Sequence, residues 1–295
     1  MINVADTQAH KRALVLGGGG VTGIAWQLGL LLGLQRGGTS LANADLIIGT
    51  SAGSSVGAQI TCGLTLDTLV RRQILPPANS KERAVPYDGA KAAESSRRLL
   101  ERMSGDRNAA RRKIGSFALR SRTASEAERK AIIASRLPSR DWPLHPLLIT
   151  AVEAETGEVR GFRRDSEASL VDAVAASCAV PGAWPAVTIG QRKYIDGGVY
   201  TVCNAHFAQG YERVLVLSPL GCHEADPVCG LLKEEIAELQ ATGSQTHVIA
   251  PDAGSQRAIG PNMLDPNAKP ATARAAIQQG LRLAPIVGRF WHGTH

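Results

Sequence analysis

The chain has 295 residues, 44% of them hydrophobic and 20% charged, which excludes a disordered chain and fits one large α/β domain or two small ones. Aromatic residues make up 4% against 31 glycines, pointing to tight turns and close backbone approaches rather than stacking platforms. The net charge is +7, but Arg71 to Arg140 holds 18 Lys/Arg against 7 Asp/Glu, a net of +11 on a remainder of −4.

The N-terminus has no apolar run of signal-peptide type, and the longest apolar stretch, Val21 to Leu34, is too short to span a bilayer. Ala13 to Leu16 reads as a buried strand that runs into a glycine loop, Gly17 to Gly20. Gly23 to Gln35 is apolar nearly all round and predicts a buried helix. Asp45 to Ile48 is a second buried strand, stopping at Gly49-Thr50-Ser51-Ala52-Gly53 ahead of a small-residue helix.

The basic segment reads as a helical insertion, opened by Pro76-Pro77 and closed by Pro138, Pro143 and Pro146. Lys91 to Met103 predicts one helix with Leu99, Leu100 and Met103 on one side; Ser125 to Glu128 is a capping box ahead of Ile132, Ile133 and Leu137. A solvated helical face with no binding role is the plain alternative for this charge.

Beyond it, Leu147–Glu153 and Val159–Phe162 flank Glu155-Thr156-Gly157 as a hairpin. Ser169 caps a helix carrying Leu170, Val174 and Cys178, which Pro181 closes; Lys193 to Ile195 leads into Asp196-Gly197-Gly198. Arg213 to Leu217 and Thr246 to Ala250 predict two more strands around a helix at Leu231 to Ala241, and Ala271 to Leu281 predicts a helix in the C-terminal tail. Strands alternating with helices give an α/β layered fold. The expected organisation is a domain over residues 10–255, with the insertion at about 71–140 and a helical tail over 256–295.

Three elements carry chemistry. Gly49, Ser51 and Gly53 form GxSxG between a buried strand and a helix, the setting of a nucleophile elbow, where glycines flank the Ser because the turn leaves no room for side chains. The Ser hydroxyl then projects at a helix head whose dipole favours developing negative charge. The loop Gly18-Gly19-Gly20-Val21-Thr22-Gly23 fits either a dinucleotide pyrophosphate or an oxyanion. The dinucleotide reading needs an acidic residue at the end of the next strand, and Asp45 stands at its start. Asp196-Gly197-Gly198, taken alone, is an Asp-Gly turn.

Together these elements resemble the patatin-like phospholipase family of serine acyl hydrolases. Leu14 to Gly20 with Gly23 resembles its oxyanion block, Ile48 to Gly53 its nucleophile elbow, Ala176 to Gly182 a block that supports the site, and Asp196-Gly197-Gly198 its Asp motif. The resemblance implies a three-layer α/β/α fold with a central, mostly parallel sheet and a helical cap insertion. It implies Ser51 as nucleophile and Asp196 as general base without a His. Gly18, Gly19, Gly20 and the Ala52 N–H would serve as oxyanion donors, and Gly23, Gly49, Gly53, Gly197 and Gly198 as motif glycines. The family usually carries a basic residue where this chain has Thr22.

The implied substrate is an acyl ester of a lipid or phospholipid, and no cofactor or metal is expected. The basic insertion, placed between nucleophile and Asp, is where a cap meeting an anionic membrane surface would lie. A cytoplasmic or peripheral location follows, with Cys62, Cys178, Cys203, Cys222 and Cys229 as reduced thiols. A Ser-Asp-His esterase using His206, His223, His247 or His292, and a catalytically weak lipid-binding protein of the same fold, are the alternatives. Nucleic acid is not an expected partner, since Tyr87 and Phe117 are the only aromatics in the basic segment.

Overall fold

The structure, a computed structural model, describes residues 11–75, 82, 88–221 and 232–293. Pro76-Pro77, Tyr87, His223, Cys222, Cys229, Leu231 and residue 10 lie outside the described residues. In chain order the elements are β1 (Arg12–Leu16), α1 (Gly20–Arg36), β2 (Leu46–Thr50), α2 (Ala52–Ile60), α3 (Leu66–Ile74), α4 (Gly89–Arg102), α5 (Arg107–Arg120), α6 (Glu126–Arg136), β3 (Leu147–Glu153), β4 (Val159–Phe162), α7 (Leu170–Ser177), β5 (Val187–Ile189), β6 (Arg192–Asp196), β7 (Arg213–Leu217), α8 (Leu232–Ala241), β8 (Gln245–Ile249), α9 (Ala253–Ile259) and α10 (Lys269–His292).

The strands form one sheet, ordered β5-β6-β3-β2-β1-β7-β8, with β4 also on β3. Pairs within β3-β2-β1-β7-β8 are parallel, and β4, β5 and β6 add antiparallel pairs. Strand alternation builds the three layers. Leu14, Leu16, Ile47, Ile149, Leu215 and Leu217 face a core shared with α1, α2, α7 and α10. Ala13, Val15, Ile48, Leu148, Val214 and Val216 face the opposite core, which α8 covers with Leu232 and Leu239.

The registers explain how two distant stretches of sequence meet. Ala151 and Val152 pair with both β4 and β6, and Ile149 and Thr150 with both β2 and β4. A strand has two edges, so β2 and β6 share one edge of β3 and run toward each other. Their last residues, Thr50 and Asp196, stand opposite Thr150 and Ala151. The turn after β2 is therefore delivered to the end of β6.

The C-terminal helix is longer than Ala271 to Leu281. It runs to His292 and packs along α1 closely enough that a Cβ on Gly29 or Gly33 would collide with the carbonyls of Ala273 and Ile277. Trp26 Nε1 donates to Gln279 Oε1 at 3.0 Å across this seam, and Trp291 is fully buried. In the basic segment, α6 starts with the expected capping box, Ser125 with Glu128, and buries Ile132 and Ile133. Most of its Lys/Arg are solvated, among them Arg98, Arg102, Lys113 and Arg120.

Candidate active site

Ser51 lies between β2 and α2 at φ 52, ψ −113, a strained setting that costs on the order of 1–3 kcal/mol. The neighbours leave no alternative to glycine on either side. A Cβ on Gly53 would fall inside the Leu16 carbonyl, and one on Gly49 would lie 2.6 Å from the Ser54 Cα. The elbow is tied on both faces of its backbone. Ser51 N–H donates to Ser177 Oγ at 2.8 Å, and its carbonyl accepts from Cys178 Sγ at 3.1 Å and Ser54 Oγ at 2.6 Å. The 176–182 block thus braces the strained turn. Cys178 is buried, and that burial raises its thiol pKa, which suits a structural thiol.

Ser51 Oγ donates to Asp196 Oδ2 at 2.8 Å, while Asp196 Oδ1 accepts from Gly198 N–H at 2.8 Å. Asp196 is 5% exposed. Burial raises its pKa to about 6, against the lowering pull of the Gly198 N–H, the Ser51 hydroxyl and the Arg129 charge. The carboxylate is held open to a proton near neutrality, where an ordinary Asp would be a poor base. A Cβ on Gly197 would collide with Thr150, at 2.6 Å from its carbonyl oxygen.

The glycine loop meets the elbow. A Cβ on Gly18 would touch the Ser51 Cβ at 3.6 Å, and one on Gly23 the Ala52 Cβ at 3.3 Å. Among the described residues, the N–H groups of Gly19, Gly20 and Ala52 make no hydrogen bond. Gly18 corrects the expectation: its N–H donates to Val202 O at 2.7 Å and is committed to the fold. Thr22 is fully buried and aims away from Ser51, its hydroxyl donating to Met263 O at 3.2 Å. It locks the loop to the chain before α10 and supplies no charge.

Two groups escaped the sequence reading. Asn204, in a left-handed conformation at φ 54, places Nδ2 within 3.2 Å of Thr50 Oγ1, Thr150 Oγ1, Gly197 O and Thr201 O. It clips the ends of β2 and β3 to the Asp196 turn from behind. The second is Arg129 of α6, which is 2% exposed and lines, with Arg136, Trp184, Leu264 and Ile24, a small cavity beside Ser51 and Ala52. The cavity is about 20 Å³, room for one water. Arg136 is held by Glu82 at 2.7 and 2.8 Å. Arg129 Nη2 donates to Cys178 O at 3.1 Å, but among the described residues Nε and Nη1 have no hydrogen-bond partner. Buried donors left unpaired cost on the order of 1–3 kcal/mol each.

The histidines stand apart. His206 Nδ1 meets Glu235 Oε1 at 2.7 Å, and among the described residues no His is bonded to Ser51 or Asp196. Among the described residues no cluster of three His, Cys, Asp or Glu side chains could hold a metal ion, and no helix is long and apolar enough to cross a membrane. Cys62, Cys178 and Cys203 are not in disulfides.

The family model for patatin-like phospholipase matches residues 14–208, from the glycine loop through Ser51 and Asp196. The chain belongs to the patatin-like phospholipase family. Membership supports a lipid hydrolase. A search of curated proteins found no match. Among solved structures, the chain resembles VipD from Legionella pneumophila at 12% identity and a TM-score of 0.41, covering 92% of this chain and 67% of that one. It resembles the type III effector protein ExoU at 16% identity and a TM-score of 0.38, covering 93% of this chain and 53% of that one. This patatin-like chain thus spans about two thirds of the first structure's length and about half of the second's.

Proposed function

We propose that the protein is a serine acyl-ester hydrolase acting on lipid or phospholipid esters, with Ser51 as nucleophile and Asp196 as general base. The observation that carries this reading is the 2.8 Å hydrogen bond from Ser51 Oγ to a buried carboxylate whose pKa stands at about 6. Ser51 Oγ attacks the acyl carbonyl carbon and passes its proton to Asp196 Oδ2. The carbonyl oxygen becomes an oxyanion, received by the N–H groups of Gly19, Gly20 and Ala52. Collapse expels the alcohol, which takes the proton back from Asp196, and leaves the acyl group on Ser51. Water then attacks the acyl-enzyme with Asp196 again as base, releasing the fatty acid.

The backbone strain at Ser51 and the dry surroundings of Asp196 both favour this chemistry over a plain Asp-Gly turn. The Ser51 hydroxyl is already engaged by Asp196 and, among the described residues, not by a His, which weighs against a Ser-Asp-His arrangement. Entry of an ester into a cavity with room for one water requires its walls to part, and α6 with Trp184 forms one of those walls.

The test is a panel of p-nitrophenyl esters, lysophospholipids and phospholipids given to wild type, Ser51→Ala and Asp196→Asn. Both variants should lose at least about a thousandfold in kcat/KM. Hydrolysis that persists in Ser51→Ala removes the assignment. The rate should rise with pH through about 6 as Asp196 ionises.

A further inference from the structure

The glycine loop carries no cation, because Thr22 stands where the family usually places one and is turned toward Met263. A cation nonetheless reaches the pocket from elsewhere. Arg129 arrives from α6, in the insertion, and its guanidinium lies over the Trp184 ring at 3.9 Å. It carries five N–H groups, and among the described residues its one hydrogen bond is the Nη2 contact to Cys178 O. Its planar head is thus positioned by Trp184 and Cys178, and Arg129 lines the Ser51 pocket with its buried Nε and Nη1 unpaired among the described residues.

The counter-charges around it are committed. Glu82 is paired with Arg136, and Asp196 accepts from Ser51 and Gly198. A fold that buries a cation normally closes an ion pair around it. Here the cation is buried and, among the described residues, its Nε and Nη1 donors meet no acceptor. The helix that presents it is anchored at both ends, by Glu126 Oε1 and Oε2 accepting from Thr188 N and Oγ1 at 2.9 Å, and by the Arg136–Glu82 pair. Arg129 therefore has a defined place relative to Ser51.

We propose that Arg129 is the seat for an anionic group of the substrate, the phosphate of a glycerophospholipid whose scissile acyl ester lies on Ser51. Guanidinium N–H groups match phosphate oxygens in geometry and charge, and a buried setting strengthens the contact. Burial, with Arg136 nearby, lowers the Arg129 pKa to about 9, offset in part by Glu82 and Asp196, so the group is charged at neutral pH. The inference rests on the acyl-hydrolase reading and deepens it. The backbone loop receives the reacting oxygen, and the insertion selects which ester is bound.

The experiment compares a monoacyl glycerophosphate with the monoacylglycerol of the same chain length, two substrates that differ only in the phosphate. In Arg129→Gln the ratio of their kcat/KM values should fall about a hundredfold, mostly through KM, and in Arg129→Lys about tenfold. An equal loss on both substrates would place Arg129 on the oxyanion or in the fold alone and overturns the proposal. An unchanged ratio also overturns it. A second arm needs no turnover: inorganic phosphate should raise the Tm of Ser51→Ala and not of the Ser51→Ala/Arg129→Gln double variant. Phosphate stabilisation that persists in the double variant sinks the seat. Stabilisation confined to Arg129 with an unchanged substrate ratio means that the site takes free phosphate and not a lipid head group. If neither substrate is hydrolysed by wild type, the hydrolase reading fails, and the Tm arm still decides whether Arg129 holds the anion. If Arg129→Gln does not fold, Arg129→Lys runs through the same two arms.

Discussion

The turns at the strand ends and the basic insertion solve opposite problems. Around residues 17–23, 49–53 and 196–198, neighbouring atoms come so close that most of the glycines have no room for a Cβ. Several of the polar groups there are tied to fixed partners, as the N–H groups of Gly17, Gly18, Ser51 and Gly198 are. On α4 and α5 charged side chains such as Arg98, Arg102, Lys113 and Arg120 face water, and several charges pair within their own helix, as Arg98 does with Glu94 at 2.7 Å. One region defines a geometry and the other carries a charge. The contrast teaches where to look for chemistry in each: in the first at the groups the packing leaves free, in the second at the charged side chains that turn toward the pocket.

The sharpest way to break this contrast is with glycines. Gly53→Ala would push a Cβ into the Leu16 carbonyl, and we expect it to cost about 4 kcal/mol or more, or to abolish soluble expression. Gly105, between α4 and α5, has φ +83 and nothing within 4 Å of its added Cβ. Gly105→Ala then carries only the left-handed backbone cost of about 1–2 kcal/mol. Urea midpoints read both. Equal losses would mean that the strand-end turns are no more constrained than the insertion.

Charge breaks it next, through the sign of a pH dependence. The Asp196 pKa of about 6 lies above the ordinary 3.8, so the folded protein holds that proton more tightly than the unfolded chain does. The associated stability is full below pH about 4 and is lost as pH rises through about 6, a penalty of about 3 kcal/mol at neutral pH. Asp196→Asn should therefore be inactive yet more stable than wild type at pH 7, with the gain vanishing at pH 4. Glu126 in the insertion runs the other way. Burial raises its pKa, but Lys130 and Thr188 overcome this and bring it to about 2. Its contribution is present above pH about 4.5 and is lost as pH falls toward 2, so Glu126→Gln should lose stability at pH 7 and not at pH 2. Thermal unfolding across pH tests both, and slopes of the same sign would remove the distinction.

The same contrast governs what the amino-acid order reveals. Strand, glycine loop, elbow and Asp turn are legible because packing dictates their residues: Gly49, Gly53 and Gly197 admit no other side chain. The fate of the Gly18 N–H is not legible, since Val202 reaches it only through tertiary folding. Asn204 carries no local signal, because its partners lie in β2, in β3 and after β6. The α10 helix hides its core role because the face it lays on α1 is built of Ala273, Ala276 and Gly280 rather than large apolar residues. Arg129 is the hardest to see. In sequence it is one of 18 basic residues between 71 and 140, and only the fold separates the cations that line the pocket, Arg129 and Arg136, from those that face water.

The smallest expected effect on stability carries the clearest statement about the outward-facing charge. Arg98 and Arg102 are exposed and one turn apart on α4. Replacing both with Ala removes one solvent-screened surface ion pair and should leave the urea midpoint nearly unchanged. If the insertion meets an anionic membrane, each lost cation weakens that contact by about 1 kcal/mol at low salt, so partition to phosphatidylserine-containing vesicles should drop about thirtyfold. The loss should shrink as salt rises and the Debye length falls to a few ångströms. Sedimentation with neutral and anionic vesicles reads it directly. Equal binding of wild type to both vesicle types at low salt would reduce these arginines to a solvated face, leaving Arg129 as the insertion's functional cation.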